Sequence, residues 1–184
     1  EMHAVEKDMA VFHLPGHPLP AVTMLHSTDA AQPQIDLFML SLSRPVLLCA
    51  FSFPTRVTAQ GEEVDCGPTQ PSTLQLVSVK EHMDTLKKWE PDLLVFGLST
   101  YSPTCQSRIH ATLGLPFPLL SDAKREFSDK LELPMREDGG MQVLQRCTLL
   151  LREGQVTRID YPLSDPSKAA VRAEYMFQRD AGHD

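Results

Sequence analysis

The stretch VLLCAFSFPTRVTAQGEEVDCGPTQPSTLQLVSVKEHMDTLKKW, residues 46–89, sets the pattern of the chain. Its opening VLLCAFSF is apolar at odd and even positions alike, as a strand sandwiched between helices should be. A polar loop follows, and then TLQLVSVKEHMDTLKKW, where Leu76, Val79, Met83 and Leu86 recur at steps of three and four and predict an amphipathic helix. The loop carries one cysteine, Cys66, with Pro68 and Pro71 after it as plausible first-turn residues. A thiol at the start of a helix faces unpaired backbone N–H groups and the positive end of the helix dipole, which lower its pKa. By position alone, Cys66 is either such a nucleophile or a loop thiol with no task.

The same pattern repeats outward from this stretch. LLVFGLS from Leu93 and CTLLL from Cys147 are apolar on both faces and read as further strands. SPTCQSRIHATLGL predicts a helix capped by Ser102 or Thr104, with Pro103 in the first turn and Gly114 at its close. LPFPLLSD offers a short strand, and DAKREFSDKLEL a helix capped by Ser121 or Asp122. A hairpin turn at Glu153-Gly154 joins CTLLL to QVTRIDY, and SDPSKAAVRAEYMFQ closes the fold as a helix with Pro166 in its first turn. Strands alternating with helices and ending in a hairpin predict an α/β layered fold with a mixed sheet. The expected organisation is one domain over 12–178, with flexible termini at 1–11 and 179–184.

Composition narrows the function. At 184 residues the chain can bury a core without disulfide or metal staples. A net charge of -7, with Lys and Arg scattered among the acids, offers no basic stripe to nucleic acid. No apolar run is long enough to span a membrane, and the first residues lack the apolar core of a secretory signal, which points to the cytoplasm. The four cysteines, Cys49, Cys66, Cys105 and Cys147, lack paired zinc spacing, and His13 and His17 lie in a proline- and glycine-broken segment that cannot present them on one helical face. No G-x-S-x-G elbow supports a hydrolase triad.

Several blocks resemble the peroxiredoxins: VLLCAFSFP, FGLST, LPFPLLSDAKREFSDKLELP and QRCTLLLREGQV. Within that family the chain is similar to the bacterioferritin-comigratory-protein-like branch, whose reactive cysteine lies in a C-x-P context reproduced by Cys66-Gly67-Pro68. The resemblance implies a thioredoxin-like fold of the peroxiredoxin type, with a mixed central sheet flanked by helices. It implies an antioxidant thiol peroxidase that needs no metal or organic cofactor and forms a sulfenic acid at Cys66. Arg146 matches the arginine that the family holds beside its reactive sulfur. The implied partners are a hydroperoxide and an external thiol reductant, thioredoxin, glutaredoxin or a small thiol, for a monomer or homodimer.

The departures from the family are specific. The family places a proline seven residues and a threonine three residues before the cysteine, and here those positions are Ala59 and Glu63. Thr58 or Thr69 is a candidate stand-in for the lost hydroxyl, and Arg56 a candidate second cation against the carboxylates of Glu62, Glu63 and Asp65, which raise a nearby thiol's pKa. The branch's resolving slot, five residues after the cysteine, is Pro71, which leaves Cys105 as the candidate resolving thiol at the start of the next helix. Cys49 and Cys147 read as buried fillers. The alternative is a peroxiredoxin-fold protein without peroxidase activity, acting as a binding or redox-sensing module or using the pocket for another reaction.

Overall fold

The structure, a computed structural model, describes residues 9–180. A seven-stranded mixed sheet runs through it. β3 (Val46–Ala50) lies near the middle, parallel to β6 (Leu94–Ser99), which is parallel in turn to β7 (Leu119–Ser121). On the other side β3 meets β10 (Cys147–Arg152) antiparallel, and β10 turns into β11 (Gln155–Asp160) through Glu153 and Gly154, both at positive φ. The right-handed strand twist favours that two-residue turn. β1 (Met24–Ser27) and β2 (Gln34–Asp36) complete the far edge as an antiparallel pair.

The two-sided apolar pattern of β3 divides its residues between two cores. Leu47, Cys49 and Phe51 belong to one cluster and Val46, Leu48 and Ala50 to the other. The first cluster takes Leu76 from α2 (Pro71–Glu81), Leu86 from α3 (Met83–Trp89), Cys105 and Ile109 from α4 (Pro103–Leu113), and Ala173 and Phe177 from α6 (Ala169–Asp180). The second takes Leu37 from α1 (Leu37–Ser41) and Phe127 from α5 (Glu126–Lys130). Cys49 and Cys147 are fully buried, and burial pushes both thiols up to about 12, so they stay protonated and inert.

The structure redraws several boundaries. The helix expected across TLQLVSVKEHMDTLKKW breaks at His82, whose ring Nδ1 lies 2.7 Å from the Ser78 carbonyl and whose backbone leaves helical geometry. α4 is capped as its sequence indicates, by Ser102 at the start and left-handed Gly114 at the end. Asp122 ties down the start of α5 by accepting the N–H groups of Phe127 and Ser128, although the helix itself begins only at Glu126. Pro166 opens a 3-10 turn ahead of α6. Two hairpins arise where the sequence suggests only loop: β4 (Thr55–Thr58) with β5 (Gly61–Val64), and β8 (Met135–Asp138) with β9 (Met141–Leu144). They pack together at Gly139, where a β-carbon would stand 2.0 Å from the Thr55 carbonyl oxygen.

Of the flexible ends expected at 1–11 and 179–184, residues 1–8 and 181–184 lie outside the described residues. Val11 is buried in the second core, and Asp180 ends α6 paired with Arg152. The segment before β1 also covers the outer edge of β11: Gly16 N–H donates to Val156, Val156 N–H to His17 and Leu19 N–H to Gly154. Among the described residues, no helix is long and apolar enough to cross a membrane.

The chain past β3 is held by Tyr101, which is fully buried. Its hydroxyl accepts the Phe53 N–H at 2.9 Å and lies 2.7 Å from Thr55 Oγ1. Tyr101→Phe strands that buried N–H, and the expected cost is about 1–3 kcal/mol. Chemical denaturation read by circular dichroism checks this; a stability within experimental error of wild type would show that the turn after β3 holds without the hydroxyl.

Candidate active site

The site grows from the C-terminal ends of the parallel pair β3 and β6. After β3 the chain runs through the β4–β5 hairpin, whose base closes where Asp65 N–H donates to the Pro54 carbonyl at 3.0 Å. Cys66 follows at once. Asp65 folds back over it, its carboxylate accepting the Gly67 N–H and the Gln70 side-chain amide, both at 2.9 Å. After β6 the chain passes Tyr101 and Ser102 into α4, which carries Cys105 in its first turn. Because β3 and β6 are parallel neighbours, both connections emerge at one edge of the sheet. Cys66 and Cys105 therefore line the same cavity of about 270 Å³, with Glu62, Glu63, Val64, Arg108, Ile109 and Thr112.

The three carboxylates around Cys66 have separate duties. Glu63, at the rim of the cavity, pairs with its cross-strand neighbour Arg56, both side chains exposed. Glu62 turns the other way and accepts both the N–H and the hydroxyl of Ser102, at 3.0 and 2.9 Å, while Arg108 donates to its backbone carbonyl at 3.1 Å. Asp65 alone acts on the Cys66 sulfur. Burial, and then the Asp65 charge, raise that thiol's pKa. Cys105 is almost fully buried and pushed up to about 11, by burial first and then by Glu62, with Arg108 drawing it partly back.

The helix-mouth expectation for Cys66 is corrected by this geometry. α2 begins at Pro71, with Gln70 as its N-cap, so the sulfur belongs to a turn ahead of the helix and its pKa is raised. The residue at the helix mouth is Ser72, fully buried, whose Oγ accepts the Ser52 N–H at 3.1 Å. Arg146 comes to that place too: its Nη1 donates to the Ser52 carbonyl at 3.4 Å, beside Arg136, whose Nη2 reaches the Ser52 hydroxyl at 3.3 Å. The cation lining the Cys66 cavity is Arg108. Thr58 is spent on its own hairpin turn, bonded to Gly61 and Gln60, and Thr69 is exposed in the turn before α2.

Reading from sequence missed Ser52, Ser72, Tyr101, Arg108 and Arg136. One signal for Ser72 was present: the threonine three residues ahead, absent for Cys66, is met by Thr69, with Pro71 in the first turn of α2.

No protein-family model and no curated protein sequence matches the chain. Solved structures do. The chain has the thioredoxin-like fold of the peroxiredoxin type. Peroxidoxin BcpB from Mycobacterium tuberculosis superposes with a TM-score of 0.67 at 18% identity, over 91% of this chain and 98% of that one. The reduced Prx3 of Vibrio vulnificus in complex with H2O2 gives 0.65 at 19%, over 88% and 97%. The bacterioferritin comigratory protein of Xanthomonas campestris gives 0.61 at 19%, over 91% and 97%.

Because burial and Asp65 both favour the neutral thiol, alkylation of Cys66 is expected to be slow at pH 7. The rate should still be climbing above about pH 8.5, the ordinary thiol value. Asp65→Asn should move the profile to lower pH. A plateau below the ordinary value in the wild type, or an unmoved profile in the variant, contradicts this electrostatic account.

Proposed function

We propose that the protein is a thiol-dependent peroxidase whose reacting sulfur is Cys66. The observation that carries this reading is the cavity that places Cys66, Cys105 and Arg108 together at the sheet edge of a peroxiredoxin-type fold. The helix-mouth position holds a hydroxyl, which peroxide does not oxidise to a reducible state, so sulfur chemistry falls to the cavity. Two structural neighbours support the substrate class: one is described for alkyl peroxide reduction and another holds H2O2.

In this reading the Cys66 thiolate attacks one oxygen of a hydroperoxide. The S–O bond forms, the O–O bond breaks, and the departing alkoxide takes a proton from water, leaving Cys66 as sulfenic acid. Arg108 offers the charge that steadies the departing oxygen, the role that resemblance gave to Arg146. An external thiol then condenses with the sulfenic acid, releasing water, and a second external thiol frees Cys66 as a disulfide departs. Cys105 is a poor resolving group. It is buried, protonated at neutral pH, and its N–H is tied to Ser102 Oγ at 3.3 Å in a turn that Glu62 clamps. Bridging requires that turn to open.

Peroxide consumption with excess dithiothreitol should be lost in Cys66→Ser and kept within about twofold in Cys105→Ser, since loss of a mere packing group leaves chemistry intact. Mass spectrometry of peroxide-treated protein should find Cys66 bearing the added thiol as the main product. A Cys66–Cys105 crosslink as the main product, with turnover lost in Cys105→Ser, would establish a self-resolving enzyme. Equal, negligible turnover in wild type and Cys66→Ser would overturn the peroxidase reading and leave the raised thiol pKa and Ser72 as marks of a binding module.

A further inference from the structure

A cleft of about 740 Å³ opens between the edge strand β11 and the closing helix α6, and it shares no lining residue with the thiol cavity. That size suits an organic molecule, since small-molecule sites run to roughly 300–1,000 Å³. We propose that the cleft binds a nucleoside phosphate, with the phosphates on Arg158, Arg172 and Arg179 and the base against the ring of Tyr175.

The chain carries a net charge of -7, yet three arginines and a single acid, Asp160, line this cleft. Asp160 is buried and committed to Arg172, accepting from its Nε and Nη2 at 2.7 to 2.9 Å. That fork fixes the plane of the guanidinium and leaves Nη1 for a ligand. Arg158 is held loosely, 3.8 Å from Asp180, whose carboxylate is shared with Arg152. Among the described residues Arg179 enters no ion pair. The cleft therefore keeps an excess of positive charge on a negative chain, carried by the side chain whose planar donors match phosphate oxygens two at a time.

An independent observation is aromatic. Arg172, Tyr175, Met176 and Arg179 fall three, four and seven residues along α6 from the first of them, so they share one face of the helix, and all four line the cleft. Met176 is 7% exposed and packs into the first core, whereas Tyr175 beside it is 57% exposed. Core packing accounts for the methionine and leaves the ring without a task. At a rise of about 1.5 Å per residue, Tyr175 stands roughly 4.5 Å along the axis from Arg172 and roughly 6 Å from Arg179, which puts both guanidiniums within a side chain's reach of its ring. Aromatic faces hold nucleobases by stacking, and arginines hold phosphates. A simple phosphate or a short dicarboxylate would use the arginines and leave the ring idle; a nucleoside phosphate uses both.

ADP, adenosine and pyrophosphate serve as probes, titrated into 15N-labelled protein at constant ionic strength with chloride as the balancing ion. ADP should give saturable shifts centred on the amides of 158–160 and 172–179, and should bind about tenfold or more tighter than adenosine or pyrophosphate, each of which offers half of the ligand. Arg179→Gln should weaken ADP by about tenfold, as expected on removing a charge-assisted contact. Tyr175→Ala should weaken ADP several-fold and leave pyrophosphate within about twofold, because only the base meets the ring. Both side chains are exposed, so the variants keep the fold, which the same spectra verify, and the ranking of the three probes on the wild type decides the matter without them. Shifts that grow without saturating, or that centre elsewhere, would overturn the site. Pyrophosphate binding as tightly as ADP would overturn the nucleoside half of the assignment, and adenosine binding as tightly would overturn the phosphate half. The titration reads no peroxide turnover, so its failure is distinct from failure of the peroxidase reading.

Discussion

The Glu62 carboxylate is the tie on which the thiol cavity depends. It crosses from the β4–β5 hairpin to the first turn of α4 and accepts two hydrogen bonds from Ser102, whose hydroxyl in turn accepts the Cys105 N–H. A hairpin of two four-residue strands has little stability of its own, and this one shows mostly exposed or half-exposed side chains. Its position comes from what it is fastened to. The N-terminus of a helix is a favourable place for a negative charge, by about 0.3–1 kcal/mol at an exposed end and more when partly buried. That fastening sets Cys66 opposite Cys105. The same charge also suppresses ionisation of Cys105, so one carboxylate both builds the cavity and quiets one of its sulfurs.

The division of labour among Glu62, Glu63 and Asp65 follows from strand alternation. Neighbouring residues of a strand face opposite ways, so Glu62 turns to α4 while Glu63 turns to Arg56. Asp65, past the strand end, is free to fold onto the turn that holds Cys66. The crowding suggested by the raw sequence is therefore reduced to one charge at the sulfur, and burial outweighs it.

The central strands, the α4 caps and the β10–β11 hairpin were legible because each has a strong local cause: continuous apolar runs, a Ser-Pro start with a glycine stop, a Glu-Gly turn. That the loops bearing Cys66 and Cys105 leave one edge of the sheet was legible too, since parallel neighbours deliver their following loops there; their shared cavity rests on the Glu62 tie to Ser102. The two extra hairpins were not. TRVTAQGEEV has no strong turn dipeptide and no apolar face, and it pairs because α4 and the β8–β9 turn receive it. Arg146 was found through family likeness, but its neighbours depend on the path after β3. The hairpin lengthens that path, so that Ser72 rather than Cys66 arrives at the helix mouth. Counting residues along the loop does not reveal the hairpin.

The segment ahead of β1 has a consequence for the behaviour of the chain in a crowded solution. β11 is the last strand on its side of the sheet, and an open strand edge is a template for pairing with another molecule. Gly16, His17 and Leu19 occupy the hydrogen-bonding groups at its start, and Pro18, which bridges to Gln155, has no N–H with which to extend the ladder outward. The segment thus acts as a selvedge for the first residues of β11, where a second copy would otherwise find an open ladder to continue.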